Sequence, residues 1–345
     1  MSDTVVVVPV YNGRLTLPDC LRALFRQSRP PRAVYVVDNG STDGTYEWAK
    51  RLSEGEARLR VLREVRRGPG AARNAGVRAA LQELGPAFVA FTDADCVAEE
   101  GWLEELRQGF ADDRIGAVTG HIRASVSDSV VGRYLAVSAV DPGAGDRVAS
   151  SVALDEGIAG GNACVRAQAL QEVGLFDESF YVAQDWDLGL RLLRAGWWLR
   201  YTAGAVVHHL HRERSVGDLL RLATKYARGR PAILRRHFRG QIFVSALGRR
   251  VVTSGPITAS VQLTSPEKVV LALFAAGLRW GWAWLLLPAY VAYLGARIWR
   301  LGGRSGGQPP RASELPLMVA LQILESAAFN GQTLVESLRR RVVCL

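Results

Sequence analysis

The sequence Phe88-Val89-Ala90-Phe91-Thr92-Asp93-Ala94-Asp95 combines a short apolar run with two closely spaced carboxylates. The apolar run is typical of a strand that is buried on both faces of a sheet. The carboxylates follow directly, so we expect them at the carboxyl end of the strand, where open α/β sheets bind ligands. Because side chains two apart on a strand share a face, Asp93 and Asp95 are predicted to converge on one hard divalent cation, magnesium or manganese. A polar turn at a strand end is the alternative interpretation.

Strands and helices are predicted to alternate around this stretch. Residues 4–8 form a β-branched run that Pro9 ends, as expected for a strand inside a parallel sheet. The alternation predicts an α/β sheet of parallel strands with helices on both faces. Other strands are predicted at residues 33–37, 58–63 and 88–91, and helices at residues 17–27, from the N-cap Asp43 to Leu52, and 70–84. Further along, helices are predicted at residues 99–110, 185–195 and 315–338, and extended chain at residues 115–123 and 198–209.

The composition bounds the class of protein. With 345 residues, of which 48% are hydrophobic, the chain can build a sizeable core and is not disordered. Its four cysteines include no CxxC pair, which argues against a zinc knuckle or a thioredoxin-like motif and suits reduced thiols in the cytosol. No signal peptide is predicted. The net charge of +10 favours an anionic partner, unless it only reflects an arginine-rich proteome.

The charge is concentrated in one stretch. Residues 212–250 contain eleven Lys and Arg against two acidic residues, a net +9. Nucleic-acid binding is one interpretation, but only three aromatic residues, Tyr226, Phe238 and Phe243, interleave the cations, too few for base stacking.

An apolar stretch follows. Residues 269–299 are interrupted only by Arg279 and Arg297, and residues 280–296 form 17 uncharged positions in a row, close to the lower limit for a membrane span. Six Trp and Tyr residues lie where interfacial anchors would stand. The alternative is a hydrophobic helical hairpin, with Pro288 in mid-run, that packs on the domain or in a dimer interface.

Other motifs lie at predicted strand ends and helix starts. The second strand ends at Asp38, whose carboxylate can read a base or ribose edge. A small-residue turn after Gly68 leads into a helix and brings Arg73 toward a phosphate. Neither is a Walker A or a GxGxxG fingerprint. Asp185 opens an amphipathic helix, where a carboxylate can be a helix cap.

Together these motifs resemble the family-2 glycosyltransferases of the GT-A fold, over about residues 4 to 215. The resemblance implies an α/β fold with a Rossmann-like mixed sheet flanked by helices, followed by a C-terminal hydrophobic helical region. The resemblance is carried by Val8-Pro9-Val10-Tyr11-Asn12, Val37-Asp38-Asn39-Gly40-Ser41-Thr42-Asp43, Ala72-Arg73-Asn74-Ala75-Gly76, Asp93-Ala94-Asp95, Gly160-Gly161-Asn162, Gly174-Leu175-Phe176-Asp177-Glu178, Gln184-Asp185-Trp186-Asp187 and His208-His209. Beyond Arg214 only a general similarity to membrane-associated bacterial members remains.

The resemblance implies a role for each matching residue. Asp185 matches the catalytic base, and Gln184 stands where the family usually has Glu, so a charge is removed there. The implied metal ligands are Asp93, Asp95 and His209, although His208 and His211 are close enough to compete and any of the three can be structural. Gly161 and Asn162 either shape a pocket or form a plain turn. The implied binding residues are Pro9, Tyr11, Asn12, Asp38, Arg73, Asp93, Ala94, Gly161 and Asn162.

The implied activity is an inverting, metal-dependent transfer of a sugar from a nucleotide-diphospho-sugar, UDP-linked in preference to dTDP- or GDP-linked. The expected cofactor is Mn2+ or Mg2+, and the expected acceptor is a hydroxyl of a lipid-linked or cell-envelope glycan. A soluble acceptor and a non-catalytic nucleotide-sugar-binding scaffold on a membrane are the alternatives.

Four segments are predicted. Residues 1–215 are the catalytic domain, 216–265 a basic juxtamembrane helical segment, 266–300 a membrane-associated or transmembrane segment, and 301–345 a linker with a C-terminal helix. The basic stretch is expected to face anionic lipids, which by the positive-inside rule puts the catalytic domain at the cytoplasmic face of the cell membrane.

Overall fold

The structure is a computed structural model that describes residues 3–125, 128–138, 145–210, 213–246, 249–304 and 310–344. The chain forms two compact units. The first comprises Met1–Arg123 and Asp141–Leu210, and the second comprises Ala124–Val140 and His211–Leu345. The predicted catalytic domain of residues 1–215 therefore loses a short internal piece to the second unit.

The first unit contains nine strands and most of the first seven helices. The strands are β1 (Thr4–Val10), β2 (Val34–Asp38), β3 (Leu59–Arg63), β4 (Phe88–Thr92), β5 (Cys96–Ala98), β6 (Ile115–Ala124), β7 (Arg147–Ala149), β8 (Asn162–Arg166) and β9 (Trp198–His209). The helices are α1 (Leu17–Phe25), α2 (Thr45–Gly55), α3 (Pro69–Glu83), α4 (Trp102–Gln108), α5 (Val130–Ser138, in the second unit), α6 (Ala167–Val173) and α7 (Gln184–Arg194).

The nine strands form one mixed sheet in the order β3-β2-β1-β4-β8-β6-β9-β5, with β7 also paired to β9. Strands β3, β2, β1 and β4 are parallel, whereas β8 runs antiparallel to β4 and to β6. The parallel half brings the ends of β1, β2 and β4 to one edge, and the antiparallel register of Thr92 with Asn162 brings the start of β8 to the same edge. This confirms the predicted Rossmann-like mixed α/β sheet.

The sheet is covered on both faces, as its continuous apolar strands predict. Alternate residues of β1 enter different core clusters: Val6 and Val8 pack on one face, Val5 and Val7 on the other. All four are completely buried. Because every side chain of such a strand lies in a core, the sequence shows an unbroken hydrophobic run instead of alternation.

Two local predictions for the first unit are wrong. The helix predicted at residues 99–110 is shorter, Trp102–Gln108, because the backbone N–H of Glu99 still donates to the carbonyl of Val206 in β9. The two carboxylates after β4 lie in a turn and not on a strand: β4 ends at Thr92, and the N–H of Cys96 donates to the carbonyl of Asp93 at 3.0 Å. The strand-face argument for pairing Asp93 with Asp95 therefore does not hold.

The second unit adds helices and a small sheet. The helices are α5, α8 (Val216–Tyr226), α9 (Gly229–His237), α10 (Pro266–Arg279), α11 (Leu286–Arg304) and α12 (Leu315–Arg340). The strands are β10 (Gln241–Ala246), β11 (Arg249–Ser254), β12 (Ala259–Gln262) and β13 (Val343–Cys344), in the order β11-β10-β12-β13. Residues 216–265 are thus helical only as far as His237, and the helical prediction for the remainder is corrected to strands.

The helices of the second unit share a core of their own. It includes Tyr134 and Leu135 of α5, Leu219 of α8, Leu294 of α11 and Met318 of α12. Arg133 of α5 forms an ion pair with Glu314 at 2.6 Å, just before α12. The buried Glu267 of α10 accepts from Ser326 Oγ and, at 2.7 Å, from Asn330 Nδ2 of α12. Polar and apolar contacts together fix α5, α10 and α11 against α12.

The uncharged run at residues 280–296 does not form one helix. It breaks into a 3₁₀ turn at Gly281–Leu285 followed by α11, and together with α10 these elements form a helical hairpin, the arrangement given above as the alternative to a span. Among the described residues, one helix is long and apolar enough to cross a membrane, judged by length and composition alone: Ala312–Arg340, which contains α12.

Candidate active site

The loop after β2 is built around Asp38 and Asn39. Asp38 is 1% exposed, and its Oδ2 accepts from the backbone N–H groups of Gly40 at 3.2 Å and Ser41 at 3.3 Å. Its Oδ1 is buried with no hydrogen-bond partner among the described residues. A buried carboxylate oxygen without a donor is costly, so this atom is a candidate acceptor for a ligand N–H or O–H.

Asn39 fixes the neighbouring loop. Its Nδ2 donates to the carbonyls of Glu64 and Arg66, both at 2.8 Å, and its Oδ1 accepts from the N–H of Gly68 at 2.8 Å. Gly68 precedes α3 with a φ of 126°, a conformation that disfavours any side chain. The loop after β3 and the start of α3 are thereby held beside Asp38.

The end of β1 contributes Pro9, Tyr11 and Asn12. Pro9 is half-buried in the strand, whereas the Tyr11 ring is 56% exposed, with the Arg67 guanidinium 5.3 Å from its centre. Asn12 serves the loop: its N–H donates to Ser41 Oγ at 2.9 Å, and its Oδ1 accepts from the Thr42 N–H at 2.8 Å. The predicted pocket residues Tyr11 and Asp38 thus belong to one edge of the sheet, whereas Asn12 is a support for it.

Arg73 of α3 is buried and paired with the acidic turn. Its side chain is 3% exposed, and one terminal nitrogen donates to Asp93 Oδ1 at 2.6 Å. The Nε and the other terminal nitrogen have no partner among the described residues. The sequence predicted Arg73 near a phosphate but did not predict its ion pair with Asp93.

Asp95 is brought to His209 by the register of β5 with β9, in which Cys96 is paired with His209. His209 Nε2 lies 3.5 Å from Asp95 Oδ2, and the Cys96 sulfur lies close enough that all three ligand atoms fall within 4.8 Å of one another. Burial, aided by the nearby Asp93 and Asp95, raises the pKa of the Cys96 thiol well above its usual range. The carboxylate oxygen of Asp95 and the imidazole nitrogen of His209 are the candidate ligands considered for a divalent cation.

The predicted metal ligands lie in two places. Asp93 Oδ1 is paired with Arg73, whereas Asp95 lies beside His209. His208 points to the other face of β9, and its Nε2 lies 2.9 Å from Glu99 Oε1. His211 lies outside the described residues. Of the other two histidines, His209 lies beside Asp95 and His208 does not.

Gly160 and Gly161 let the backbone pass close to three charged groups. A Cβ on Gly161 would stand 2.9 Å from Asp93 Oδ2, and a Cβ on Gly160 would stand 3.0 Å from Asp185 Oδ2 and 3.1 Å from the Arg73 guanidinium carbon. The distance at Gly161 is shorter than real Cβ contacts and the two at Gly160 are tighter than most, so a side chain at either position would displace one of these charged groups. The loop before β8 therefore joins the acidic turn, Arg73 and Asp185 in one site.

Asn162, predicted in the binding set, is a buried support instead. Its Oδ1 accepts from Trp102 Nε1 at 2.7 Å, and its Nδ2 donates to the carbonyls of His121 at 3.0 Å and Ala205 at 2.9 Å. The side chain is 0% exposed, and its amide group makes hydrogen bonds inside the protein core. Ala94 is likewise buried, at 7% exposure, under the acidic turn.

Asp185 stands at the first turn of α7, as predicted. The N–H of Gly160 donates to its Oδ2 at 2.8 Å, and the N–H of Trp186 donates to its Oδ1 at 2.9 Å. Ala183, just before α7, has a φ of 63°, which is strained for a residue with a side chain. Gln184 is 6% exposed, with its Oε1 unpartnered among the described residues. The two backbone N–H groups hold the Asp185 carboxylate in place, and the adjacent Gln184 keeps a side-chain oxygen to which no described residue donates.

Asp187 has a different task. It is fully buried and accepts from Arg191 Nε at 2.7 Å, and the same guanidinium donates to the carbonyls of Val173 and Leu175. The pair ties α7 to the end of α6. This favours Asp185 over Asp187 as the group that meets a substrate.

Sequence reasoning missed several supporting side chains. The Arg67 guanidinium lies over one face of the Tyr11 ring, and Trp102 Nε1 donates to Asn162 Oδ1. Asn74 donates to the Phe176 carbonyl and to Glu178, both at 2.9 Å, and so links α3 to the loop before α7. Asn74 and Glu178 stand inside the quoted motifs, and Arg67 directly precedes Gly68, so motif position was the available signal.

The mixed α/β sheet, whose parallel half ends in an acidic turn, is of the GT-A class of fold. The chain belongs to the family-2 glycosyltransferases. Glycosyl transferase family group 2 matches residues 88–298, more than half of the chain, and Glycosyl transferase family 2 matches residues 5–145.

Two curated relatives illustrate the similarity. The pre-mycofactocin glycosyltransferase of Mycobacterium tuberculosis is 33% identical over 213 residues, which cover 61% of this chain and 43% of the relative. Glycosyltransferase AglE of Haloferax volcanii is 28% identical over 227 residues, 65% of this chain and 71% of the relative. The chain thus spans less than half the length of the mycobacterial relative.

Solved structures share the fold. The mannosyltransferase PcManGT from Pyrobaculum calidifontis, in complex with GDP-Man and Mn2+, covers 97% of this chain and 87% of its own at a TM-score of 0.56 and 22% identity. TarS of S. aureus, residues 1–349 in complex with UDP-GlcNAc, covers 99% and 93% at a TM-score of 0.50 and 16% identity.

Proposed function

We propose that this chain transfers a sugar from a nucleotide-diphospho-sugar to an acceptor hydroxyl, with inversion at the anomeric carbon. The observation that carries the proposal is the meeting of three groups at one edge of the sheet. These are the buried Arg73–Asp93 pair, the Asp95–His209 pair and the fixed carboxylate of Asp185. Family membership supports the reaction class.

The proposed donor site lies over Asp38. Its unpartnered Oδ1 matches an N–H donor of a nucleotide base, and the exposed Tyr11 ring offers a stacking surface. Both GDP-Man and UDP-GlcNAc are bound by proteins with this fold, which supports a nucleotide sugar as donor. We propose a UDP-linked donor, with dTDP and GDP as the other bases to be tested.

A divalent cation, Mn2+ or Mg2+, is proposed at Asp95 and His209. Two ligands bonded to one small cation at about 2.1 Å stand about 3 Å apart, and the 3.5 Å between Asp95 Oδ2 and His209 Nε2 fits such a pair. Carboxylate oxygen and imidazole nitrogen suit manganese in particular. When bound, the cation would offset the negative charge that the diphosphate gains as it leaves. Asp93, held by Arg73, is then available to the donor rather than to the metal.

Asp185 is the proposed general base. An acceptor hydroxyl must lose its proton as it attacks the anomeric carbon, and a carboxylate within hydrogen-bond reach can take it. The N–H groups of Gly160 and Trp186 fix the carboxylate without neutralising it. With one base and no enzyme nucleophile, the reaction is a single displacement, so the product has the opposite anomeric configuration to the donor.

The acceptor is proposed to be a hydroxyl of a lipid-linked or cell-envelope glycan at the cytoplasmic face of the membrane. The basic stretch at residues 212–250 and the exposed apolar residues after it support a membrane location. A soluble acceptor becomes the better proposal if the full chain does not bind membranes.

Metal dependence tests the cation site. Activity should vanish in chelator and return with Mn2+ or Mg2+, because the diphosphate leaves poorly without a counter-charge. His209→Ala should lower turnover at least about tenfold and raise the Mn2+ concentration needed for half activity. His208→Ala, the matched neighbour on the other face of β9, should keep near-normal metal dependence. Full turnover in metal-free protein would refute the site.

A further inference from the structure

One surface of the second unit remains outside the proposed reaction. It is formed by α10, the 3₁₀ turn Gly281–Leu285 and α11, here called the apolar hairpin. Its inner side is anchored, because Leu294 and Ile298 of α11 are buried in the core shared with α5, α8 and α12. Within the hairpin, Trp284 of the turn packs edge-on against Phe274 of α10 at 5.1 Å. The hairpin is therefore a fixed part of the unit.

The outer side of the apolar hairpin is exposed. Trp282 is 66% and Leu285 75% exposed at the turn, where water-soluble proteins seldom leave such large side chains together. The other exposed large apolar residues of the hairpin are Leu271, Phe274, Leu278, Trp280, Trp284, Leu286, Val291, Tyr293 and Trp299.

Neither helix of the hairpin can cross a bilayer. The uncharged part of α10 is residues 269–278, and that of α11 is residues 286–296. At about 1.5 Å per residue these stretches are roughly 15 and 17 Å long, about half of the hydrocarbon core of about 30 Å. The exposed apolar side therefore fits a layer at one surface of a membrane rather than a path through it.

The charges of the hairpin indicate which kind of membrane surface it fits. Residues 268–304 contain five Lys or Arg and no Asp or Glu. Arg279 ends α10, and Arg297 and Arg300 lie exposed on α11, beyond the uncharged stretches. Long cationic side chains in these positions can reach lipid phosphates while their helices lie among the acyl chains. Trp and Tyr rings favour the same boundary.

We propose that the apolar hairpin lies in the plane of an anionic leaflet, with its outer side buried in the headgroup and upper acyl region and with Arg279, Arg297 and Arg300 on lipid phosphates. The proposal builds on the membrane location proposed above and replaces a transmembrane anchor with a one-sided one. The alternative is that a second copy of the chain covers the outer side of the hairpin. Two such surfaces would repel each other, because each has cationic residues and no acidic ones.

The test is flotation of the full chain with vesicles, without donor or acceptor, so its result is independent of the transfer reaction. We expect binding to vesicles of phosphatidylcholine with phosphatidylglycerol and weak binding to phosphatidylcholine alone. The double variant Trp282→Ser, Leu285→Ser should lose about tenfold or more in partition coefficient. Leu15→Ser, equally exposed at 78% but in the first unit, is the matched control and should bind normally.

Depth and sidedness complete the test. The four native cysteines are buried, so a thiol introduced at position 285 or on α12 can be labelled selectively. A nitroxide on Leu285→Cys should lie about 5–10 Å below the headgroups. In protein added to preformed vesicles, Leu317→Cys and Leu338→Cys, near the two ends of α12, should both react with an impermeant maleimide from outside.

Three outcomes would overturn the proposal. Protection of one α12 thiol would indicate a spanning helix. A dimer that the double variant dissociates, with no vesicle binding, would indicate a second copy as the cover. Unchanged flotation of the double variant would show that the hairpin is not the binding surface.

Discussion

Arg73 shows at the residue scale how a single buried charge organises this site. Its guanidinium is almost completely removed from water and has one acidic partner, Asp93, at 2.6 Å. Such a pair is costly to bury unless the remaining donors are also used. Two nitrogens of Arg73 have no partner among the described residues, which makes them candidates for the oxygens of a bound phosphate.

Gly161 provides a residue-scale prediction. Gly161→Ala would put a Cβ within 2.9 Å of Asp93 Oδ2 and displace a carboxylate that Arg73 holds. We expect turnover to fall about tenfold or more while the melting temperature changes little, because the clash is with a site side chain and not with the core. Gly101→Ala is the control, since nothing lies within 4 Å of its Cβ. Normal turnover in Gly161→Ala would mean that Asp93 needs no fixed position.

Helix α7 is the element that joins the base to the scaffold. Asp185 stands in its first turn, and the Asp187–Arg191 pair one turn on ties it to the carbonyls at the end of α6. The strained φ of Ala183 immediately before the helix is tolerated because these contacts fix the helix start. The position of the base therefore depends on an ion pair that does not meet the substrate.

Arg191→Ala tests this dependence. The substitution leaves the fully buried Asp187 without its cation and two carbonyls without a donor, so we expect a loss of about 3–5 kcal/mol in the free energy of unfolding. Urea denaturation measures it, with Arg194→Ala on the exposed side of α7 as control, expected to cost under about 1 kcal/mol. Equal, small losses in both variants would contradict the structural role.

The predicted and observed elements differ where tertiary pairing decides. The strands β1, β2 and β4 were predictable because each is a β-branched or apolar run buried on both faces. The turn at Asp93 was not predictable, because it forms where the chain leaves β4 and enters β5, which pairs with the distant strand β9. The choice of His209 over His208 follows from the register of that pairing. Strands β10 to β12 were obscured by the basic stretch, whose charge was taken for a helical surface.

At the scale of the whole molecule, chemistry and charge are divided between the two units. Every site residue, from Pro9 to His209, belongs to the first unit, whereas the +9 stretch and the apolar hairpin belong to the second. The motifs of the first unit allowed the site to be predicted from sequence to a large extent. The partners of Arg73 and Asn162 could not be predicted, because residues 20 and 60 positions away supply them.

The proposed mechanism depends on Asp185 as the base of a single displacement, and one transfer assay tests it directly. Purified protein is given a panel of nucleotide sugars, Mn2+ and a polyprenyl-phosphate or glycan acceptor, and nucleoside diphosphate release is measured for the native chain and for Asp185→Asn. We expect acceptor-dependent release, an inverted anomer in the product, and a drop of about 10²–10⁴-fold in Asp185→Asn with donor binding nearly unchanged. Normal turnover in Asp185→Asn, or retention of configuration, would contradict it.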